Sequence, residues 1–381
     1  MTDHPNPQSS SDLYVGLMSG TSIDAVDCAL VRCEEHGVSL QASHSEPIPE
    51  ANRQRIAELS LPGSNEIERL GSLDREIGAL FARGALNLLQ GAGVAAQEVR
   101  AIGSHGQTVR HRPPSDASHS TEPFTLQIGD PNTITELTGI CTVADFRRRD
   151  IAAGGEGAPL APAFHVAAFG AADSNRAIVN IGGIANISIL AGKSLTSGFD
   201  CGPGNTLMDL WIREHRDLPL DTDGAWAATG QVVPELLSGL LSHPYLHQRG
   251  PRSTGKEAFN RAWLEQQLAT CTPLATADVQ ATLAEFTAAT IASGIAASST
   301  RIDEVYVCGG GAHNRHLLER LCAHLPAAAV RTTTEIGIHP DWVEAMTFAW
   351  LAQQTLAGQA GNNPVVTGAA GSRILGGIYP A

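Results

Sequence analysis

Apolar and polar positions alternate in short runs along the chain, and the runs break at turns rich in glycine. Residues 13–15, 25–32 and 38–43 read as consecutive strands, with His36-Gly37 turning the chain between the last two. Between 65 and 91, Ile67, Leu70, Leu73, Ile77, Leu80 and Phe81 recur at three- and four-residue steps, which predicts a long helix with one apolar face. Residues 99–103 form a short strand, followed by the unusual run His105-Gly106-Gln107-Thr108. Residues 113–123, rich in proline and serine, read as an exposed loop, and 125–128 and 140–144 as strands. Gly154-Gly155-Glu156-Gly157-Ala158-Pro159 reads as a joint.

After the joint the pattern restarts. Strands are expected at 177–181, 185–190 and 194–199, then helices at 205–215, 257–268 and 278–299. Strand 303–308, helix 314–323, strand 328–331 and helix 342–357 follow. A repeated order of elements without repeated sequence predicts two related α/β domains facing a cleft, where ligands usually sit. The expected domains are 13–155 and 156–340, with 341–381 a candidate to complete the first and 1–12 a polar, flexible tail.

Bulk properties narrow the class. A chain of 381 residues exceeds one compact core, and 43% hydrophobic with 17% charged residues is ordinary for a globular enzyme. No apolar run is long enough to span a bilayer, and the first twelve residues lack the basic start and apolar segment of a signal peptide, so a cytoplasmic location is expected. A formal charge of −14 argues against a nucleic-acid or membrane-surface partner, either of which needs a basic face. The seven cysteines contain no CxxC pair and read as free thiols in a reducing compartment. His243 and His247 have helical spacing, but Pro244 lies between them and no further zinc-type ligands follow, which argues against a metal there.

Three glycine-rich turns stand directly after apolar runs: Gly16-Leu17-Met18-Ser19-Gly20-Thr21-Ser22, Gly182-Gly183 and Gly309-Gly310-Gly311. Glycine at a strand end lets backbone N–H groups approach an anion with no Cβ in the way. Three such turns, far apart in sequence, point to a nucleotide held between two halves of the molecule. In the first, Thr21 and Ser22 add hydroxyl donors, and Asp24 and Asp27 are placed to reach a magnesium ion directly or through water. A hairpin bend lined with polar residues is the competing reading. Asn180-Ile181-Gly182-Gly183-Ile184-Ala185-Asn186 fits a second phosphate turn or a plain hairpin. Gly309-Gly310-Gly311-Ala312-His313-Asn314 has more glycine than a tight turn needs and leaves room for a flat base.

In Phe199-Asp200-Cys201-Gly202-Pro203-Gly204-Asn205, Asp200 is expected to end a strand before a turn stiffened by Pro203. A carboxylate there accepts a proton from water or a hydroxyl, or else caps the turn. Asp145-Phe146-Arg147-Arg148-Arg149-Asp150 sets several charges after an apolar strand. Arginine grips a sugar carboxylate or ring oxygens, although most charge runs are solvated faces. Glu344 lies in an otherwise apolar helix, but Asp341 and Glu344 also have capping-box spacing. Gly250-Pro251-Arg252-Ser253-Thr254-Gly255-Lys256 fits the Walker A spacing. Glu257 stands where Ser or Thr is needed and no strand precedes the run, so it is rejected as a phosphate loop.

Together these segments resemble the anhydro-N-acetylmuramic acid kinases, bacterial enzymes of cell-wall recycling. The resemblance runs from about 13 to 378. It rests on Gly16-Leu17-Met18-Ser19-Gly20-Thr21-Ser22-Ile23-Asp24, Gly103-Ser104-His105-Gly106-Gln107-Thr108, Gln127-Ile128-Gly129-Asp130 and Asp145-Phe146-Arg147. It also rests on the segments 180–186 and 199–205 and on Ser253-Thr254-Gly255-Lys256-Glu257. It implies an actin-like (ribonuclease H-like) fold of two α/β domains around a nucleotide cleft, with ATP and Mg2+ as cofactors and a homodimer. It places the phosphate-binding stretch at Gly20, Thr21, Ser22, Ile23, Asp24, Ala25, Val26 and Asp27, the catalytic aspartate at Asp200 and the sugar contacts at Thr108, Arg147 and Glu344. Asn180, Gly182, Gly183, Gly309, Gly310, Gly311 and Asn314, from the other two turns, complete the candidate nucleotide site. Many actin-like kinases carry an aspartate at the end of the first strand, where this chain has Gly16, which leaves the direct magnesium ligand open; Asp24 is the candidate, through water.

The implied reaction opens the internal ether of a 1,6-anhydro sugar with water and phosphorylates the product from ATP. An ordinary sugar kinase, in which Asp200 deprotonates a substrate hydroxyl and no water is consumed, is the near alternative. A non-catalytic nucleotide or sugar sensor, or an actin-like assembly subunit, is the distant one.

Overall fold

Every residue of Leu13–Ser19 (β1) is buried, the mark of a central strand covered on both faces. The computed structural model describes residues 12–20, 22–34, 37–115, 122–248, 252, 254–255 and 258–381. After β1 come Ala25–Glu34 (β2), Gly37–Pro47 (β3), Glu50–Leu59 (α1), Glu66–Ala92 (α2), Ala101–Arg112 (β4), Phe124–Ile128 (β5), Pro131–Thr138 (α3), Thr142–Ala144 (β6) and Arg148–Ala152 (α4). Ala161–Phe169 (α5), Asn175–Ile181 (β7), Ile184–Ala191 (β8), Ser194–Pro203 (β9), Thr206–Arg216 (α6), Pro234–Leu241 (α7), Arg261–Leu268 (α8) and Thr276–Ala296 (α9) follow. The chain ends with Glu304–Cys308 (β10), Arg315–His324 (α10), Ala329–Thr332 (β11), Val343–Leu356 (α11), Pro364–Thr367 (α12) and Gly377–Tyr379 (β12).

Two compact units result. One holds the chain up to 153 with 344–362 and 371–381; the other holds 154–343 and 363–370. In the first, the strand order is β12-β6-β4-β1-β2-β3, with β5 added on β4; in the second it is β11-β10-β7-β8-β9. Both sheets repeat one rule. A three-strand antiparallel meander (β1-β2-β3, β7-β8-β9) is joined at its first strand to parallel neighbours (β4 and β6, β10 and β11). This duplicated order is the actin-like α/β architecture that the sequence led us to expect. No helix among the described residues is long and apolar enough to cross a membrane.

In the first unit, α2 lays Leu73, Ile77, Phe81 and Leu88 against Val15, Leu17, Val26 and Leu30 of the sheet. The apolar stripe begins later than its periodicity implies, because Ile67 is 84% exposed. On α11, Ala345, Met346, Phe348 and Ala349 are buried. Gly16 and Gly103 face each other across β1 and β4 and meet this helix. A Cβ built on Gly16 would stand 1.8 Å from the carbonyl oxygen of Ala345, and one on Gly103 would stand 1.9 Å from that of Phe348. Since β1 runs on to Ser19, Gly16 is a mid-strand contact for a helix and does not mark the strand's end.

The second unit is built around α9, which is buried nearly all round and therefore lacks an amphipathic period. Leu283, Phe286 and Ile291 pack with Val179, Ile187 and Val305, each fully buried side chain of this size contributing roughly 1.5–3 kcal/mol. Glu285, on the same helix, is buried and receives Arg320 Nε at 2.6 Å and His324 Nε2 at 2.8 Å from α10. Burial opposes its ionisation, but the bonds from Arg320 and His324 outweigh this and hold the carboxyl below its usual range. A depressed carboxyl stabilises the fold above its unfolded value, and the gain is lost as pH falls through the folded value. Melting temperature should therefore drop as pH falls below about 4.3. The Glu285→Gln variant should show a shallower acid limb in the same melts, and an identical limb would remove Glu285 from the acid response.

Several elements depart from expectation. Strand β4 does not stop at Gly103 but runs to Arg112, so His105-Gly106-Gln107-Thr108 lies inside it, kinked where Gly106 takes φ 73°. Pairing of 107–112 with β5 satisfies the backbone of this polar stretch. Helix α8 begins only at Arg261, where Asn260 Oδ1 accepts from the N–H of Trp263. Helices α1, α3, α4, α5, α7 and α12 carry no expectation from the sequence. The tail 1–11, His36, residues 116–121 of the loop and most of 249–257 lie outside the described residues.

Candidate active site

The three glycine turns and the acidic and basic motifs lie within strands of these two sheets or directly after them. In the first unit, Ser19 Oγ donates to Gln107 Oε1 at 2.7 Å, and Gln107 Nε2 reaches the carbonyls of Gly20 at 3.4 Å and Thr108 at 3.1 Å. Gln107 thus braces the turn after β1 from the neighbouring strand. A Cβ on Gly20 would meet nothing within 4 Å, so its backbone is open to approach. Ser22 and Asp24 are exposed and Ile23 takes φ 61°. Asp24 Oδ1 receives Arg53 Nη1 at 3.1 Å, and Asp27 Oδ1 receives Ser45 Oγ at 2.9 Å. Ala25 and Val26 already belong to β2, and Val26 turns its side chain into the core. Thr21 lies outside the described residues.

The basic motif opens between β6 and α4. Asp145 takes φ 62°, and burial raises its carboxyl although Arg148 stands 3.5 Å away. Arg147 Nε donates to His105 Nε2 at 2.9 Å. Thr108 Oγ1 receives Gln127 Nε2 at 3.1 Å. A cavity of about 170 Å³ opens beside these pairs, with Asp74, Ser104, His105, Gln127, Asp145 and Arg148 in its wall. Ser104 Oγ is buried there without a hydrogen-bond partner among the described residues. Glu344 opens the first turn of α11. Asp341, the other member of the capping-box spacing, sits in a separate short turn, 340–342, where its Oδ1 is bound at 2.7 Å by His313 Nε2.

In the second unit, Asp200 lies within β9, not at its end, because the strand continues to Pro203 opposite Ile184. Asn186 pairs with Asp200 and Ala185 with Gly202, leaving Cys201 as a bulge. The Asp200 residue is 8% exposed. Its Oδ2 accepts from the backbone N–H of Thr254 at 2.9 Å, and its carbonyl accepts from Tyr245 Oη at 2.7 Å and Arg252 Nε at 3.2 Å. The Arg252 guanidinium lies 4.6 Å from the centre of the Phe199 ring. The stretch around 252–255, rejected as a phosphate loop, therefore holds the candidate base. Sequence reasoning omitted Tyr245, Arg252 and Thr254 from the site, and the segment's place among the family motifs was the available signal.

The other two turns interlock. The carbonyls of Gly182 and Gly183 accept from the N–H groups of Asn205 at 2.8 Å and Gly204 at 2.9 Å, and Thr206 Oγ1 adds a bond to Gly183 at 2.7 Å. In the third turn, Gly309 takes φ 75° with its face against Asn180, and Gly311 abuts Ile181. Gly310 is exposed and has only Asn205 Nδ2 nearby, at 3.7 Å from its ideal Cβ. Asn314 caps α10, its Oδ1 accepting from the N–H of Leu317 at 2.9 Å. Among the described residues no group of three or more His, Cys, Asp or Glu side chains could hold a metal ion. His243 instead caps the turn 244–247, accepting from the N–H of Tyr245 at 3.2 Å.

Similar folds occur in solved structures at low identity. Component A of (R)-2-hydroxyglutaryl-CoA dehydratase from Acidaminococcus fermentans is 13% identical with a TM-score of 0.49, the match covering 91% of this chain and 100% of that one. A ROK family glucokinase from Streptomyces griseus, in complex with glucose and AMPPNP, is 14% identical with a TM-score of 0.42, covering 90% and 99%. The family model for anhydro-N-acetylmuramic acid kinase matches residues 12–381, which makes the present protein a carbohydrate kinase, an enzyme that draws its phosphoryl group from ATP. Proteins of that name from Shewanella woodyi and Saccharophagus degradans are 51% identical over 373 residues and 50% identical over 368. These matches cover 98% of this chain and 100% of the first relative, and 96% and 98% for the second. The chain belongs to the anhydro-N-acetylmuramic acid kinase family.

Proposed function

We propose that Asp200 is the general base in a reaction that turns ATP, 1,6-anhydro-N-acetylmuramic acid and water into ADP and N-acetylmuramate 6-phosphate, within peptidoglycan recycling. The observation that carries this reading is the anchoring of one buried carboxylate at a strand bulge, with one oxygen held by a main-chain N–H. Asp200 takes a proton from water and the water oxygen bonds to the anomeric carbon. The bridging C–O bond breaks, and the released 6-oxygen attacks the γ-phosphate of ATP, whose bond to the β,γ-bridging oxygen breaks as ADP leaves. Thr108, Arg147 and Glu344 hold the sugar. The stretch 20–27, with Asn180, Gly182 and Gly183, serves the phosphates through backbone N–H groups, and Gly309, Gly310, Gly311 and Asn314 serve the base. The protein's part in such a transfer is alignment and charge neutralisation.

Magnesium enters as part of the substrate Mg-ATP. The residues present fit a metal carried by phosphates and water: Asp24 is exposed, receives Arg53 at 3.1 Å, and would hold the ion through water. Family likeness supports a homodimer. The buried thiols of Cys28, Cys33 and Cys201, none of them in a disulfide, support a reducing, cytoplasmic setting. Turnover in isotope-labelled water, quenched early, tests the reaction: the label should appear on the anomeric hydroxyl of the sugar phosphate. Unlabelled product would make the enzyme an ordinary sugar kinase.

A further inference from the structure

Strand β9 is the outermost strand of its sheet, so main-chain groups on its free edge need partners from outside the ladder. At Asp200, Arg252 supplies two of them. The Asp200 N–H donates to the Arg252 carbonyl at 3.2 Å, and Arg252 Nε donates back to the Asp200 carbonyl at 3.2 Å. Tyr245 Oη donates to the same carbonyl at 2.7 Å. Burial, with the Asp200 charge behind it, pushes the Tyr245 phenol up, so the hydroxyl keeps the proton it donates. Two residues past Arg252, the Thr254 N–H meets the carboxylate Oδ2 at 2.9 Å. Arg252 and Thr254 thus hold the edge of β9 beside the bulge at Cys201.

The Arg252 side chain is itself seated. Its guanidinium carbon lies 4.6 Å from the centre of the Phe199 ring and 5.4 Å from that of Tyr245. Its Nη1 donates to the Gln248 carbonyl. Phe199 precedes Asp200 on β9 and packs against the core of the second unit. Tyr245 is 7% exposed and sets its ring edge-on to the fully buried Phe259. The cation therefore rests on rings that the core fixes, and from that seat it reaches the main chain of residue 200. A reacting group misplaced by about 1 Å loses about a hundredfold in rate, so a seat of this kind has leverage on a base.

We propose that Arg252 is a positioning residue for the base: it clips its own stretch of chain onto the edge of β9 and so fixes the direction in which the Asp200 carboxylate meets the reacting water. The inference rests on the reading of Asp200 as the general base. Its effect falls on kcat, because a misdirected base leaves the binding of both substrates alone.

Steady-state kinetics on the full chain tests the proposal. Arg252→Met keeps a long side chain over the two rings and removes the charge and the donor. Its kcat should fall about thirtyfold, with KM unchanged for both ATP and the anhydro sugar. Arg252→Lys, which keeps a cation over Phe199 and Tyr245 and a donor for the carbonyl, should recover most of the rate. Adding Arg252→Met to Asp200→Asn should cost nothing beyond Asp200→Asn alone. A wild-type kcat in Arg252→Met, with or without a raised KM, beside an inactive Asp200→Asn would overturn the positioning role and leave Asp200 as the base. A further fall in the double variant would give Arg252 an action of its own and overturn it too. An active Asp200→Asn would remove the reading beneath. Should Arg252→Met fail to fold, Arg252→Gln and Arg252→Lys decide: equal kcat values in those two would sink the proposal.

Discussion

Asp200→Asn is expected to stop ring opening and phosphoryl transfer together, with kcat falling about a thousandfold or more. The two losses are coupled because the proposed mechanism draws both steps from one proton transfer: without an activated water the ether does not open, and without opening no 6-oxygen is freed. Asparagine matches aspartate in shape, and its amide oxygen can still accept from the N–H of Thr254, which now anchors Oδ2 at 2.9 Å. The bulge at Cys201 and the bonds from Tyr245 and Arg252 involve main-chain atoms of residue 200, and the substitution leaves them in place. Affinity for ATP should therefore stay near that of the wild type. ADP release, sugar phosphate formation and nucleotide binding, measured on one preparation, separate the cases. Retained ring opening in the variant would take Asp200 out of this role, and lost nucleotide binding would make it a structural residue.

The largest expected effect on stability comes from Gly103→Ala. Its new methyl would lie 1.9 Å from the carbonyl oxygen of Phe348, a backbone atom that no rotamer change can move aside. Relief requires shifting α11 or bending β4, and overpacking of this kind costs about 3 kcal/mol or more. Gly71→Ala is the matched control. Gly71 is an exposed position inside α2 with nothing within 4 Å of the ideal Cβ, so the same change should stabilise by about 0.5–1 kcal/mol. Thermal melts of both variants should move in opposite directions. A Gly103→Ala protein that melts with the wild type would show that α11 does not sit against β4 as described.

Much of the architecture was legible because period and glycine carry local information. The stripe of α2 and the two antiparallel meanders follow from apolar spacing, and residues 177–181, 185–190 and 194–199 fall inside β7, β8 and β9. What escaped was set by tertiary partners. The run from His105 to Arg112 carries no element in the sequence reading and becomes strand where β5 pairs with it. Helix α1 buries only Ile56 and Leu59, too few positions to show a period, and α5 is apolar almost throughout. Helix α3 did carry a usable signal, Asp130 followed by Pro131, with Asp130 accepting from the N–H groups of Asn132 and Thr133. At the site, motif residues were visible but the bonds among them were not. Gln107, His105 and Gln127 act through bonds to Ser19, Arg147 and Thr108 that no spacing rule announces.

One feature of the second unit reaches into the family's freedom to vary. One hold on the Asp200 carboxylate is an amide of the peptide chain, not the side chain of the threonine that occupies position 254. Drift among side chains there leaves the restraint untouched, and of the twenty residues only proline, which brings no N–H, could cut it.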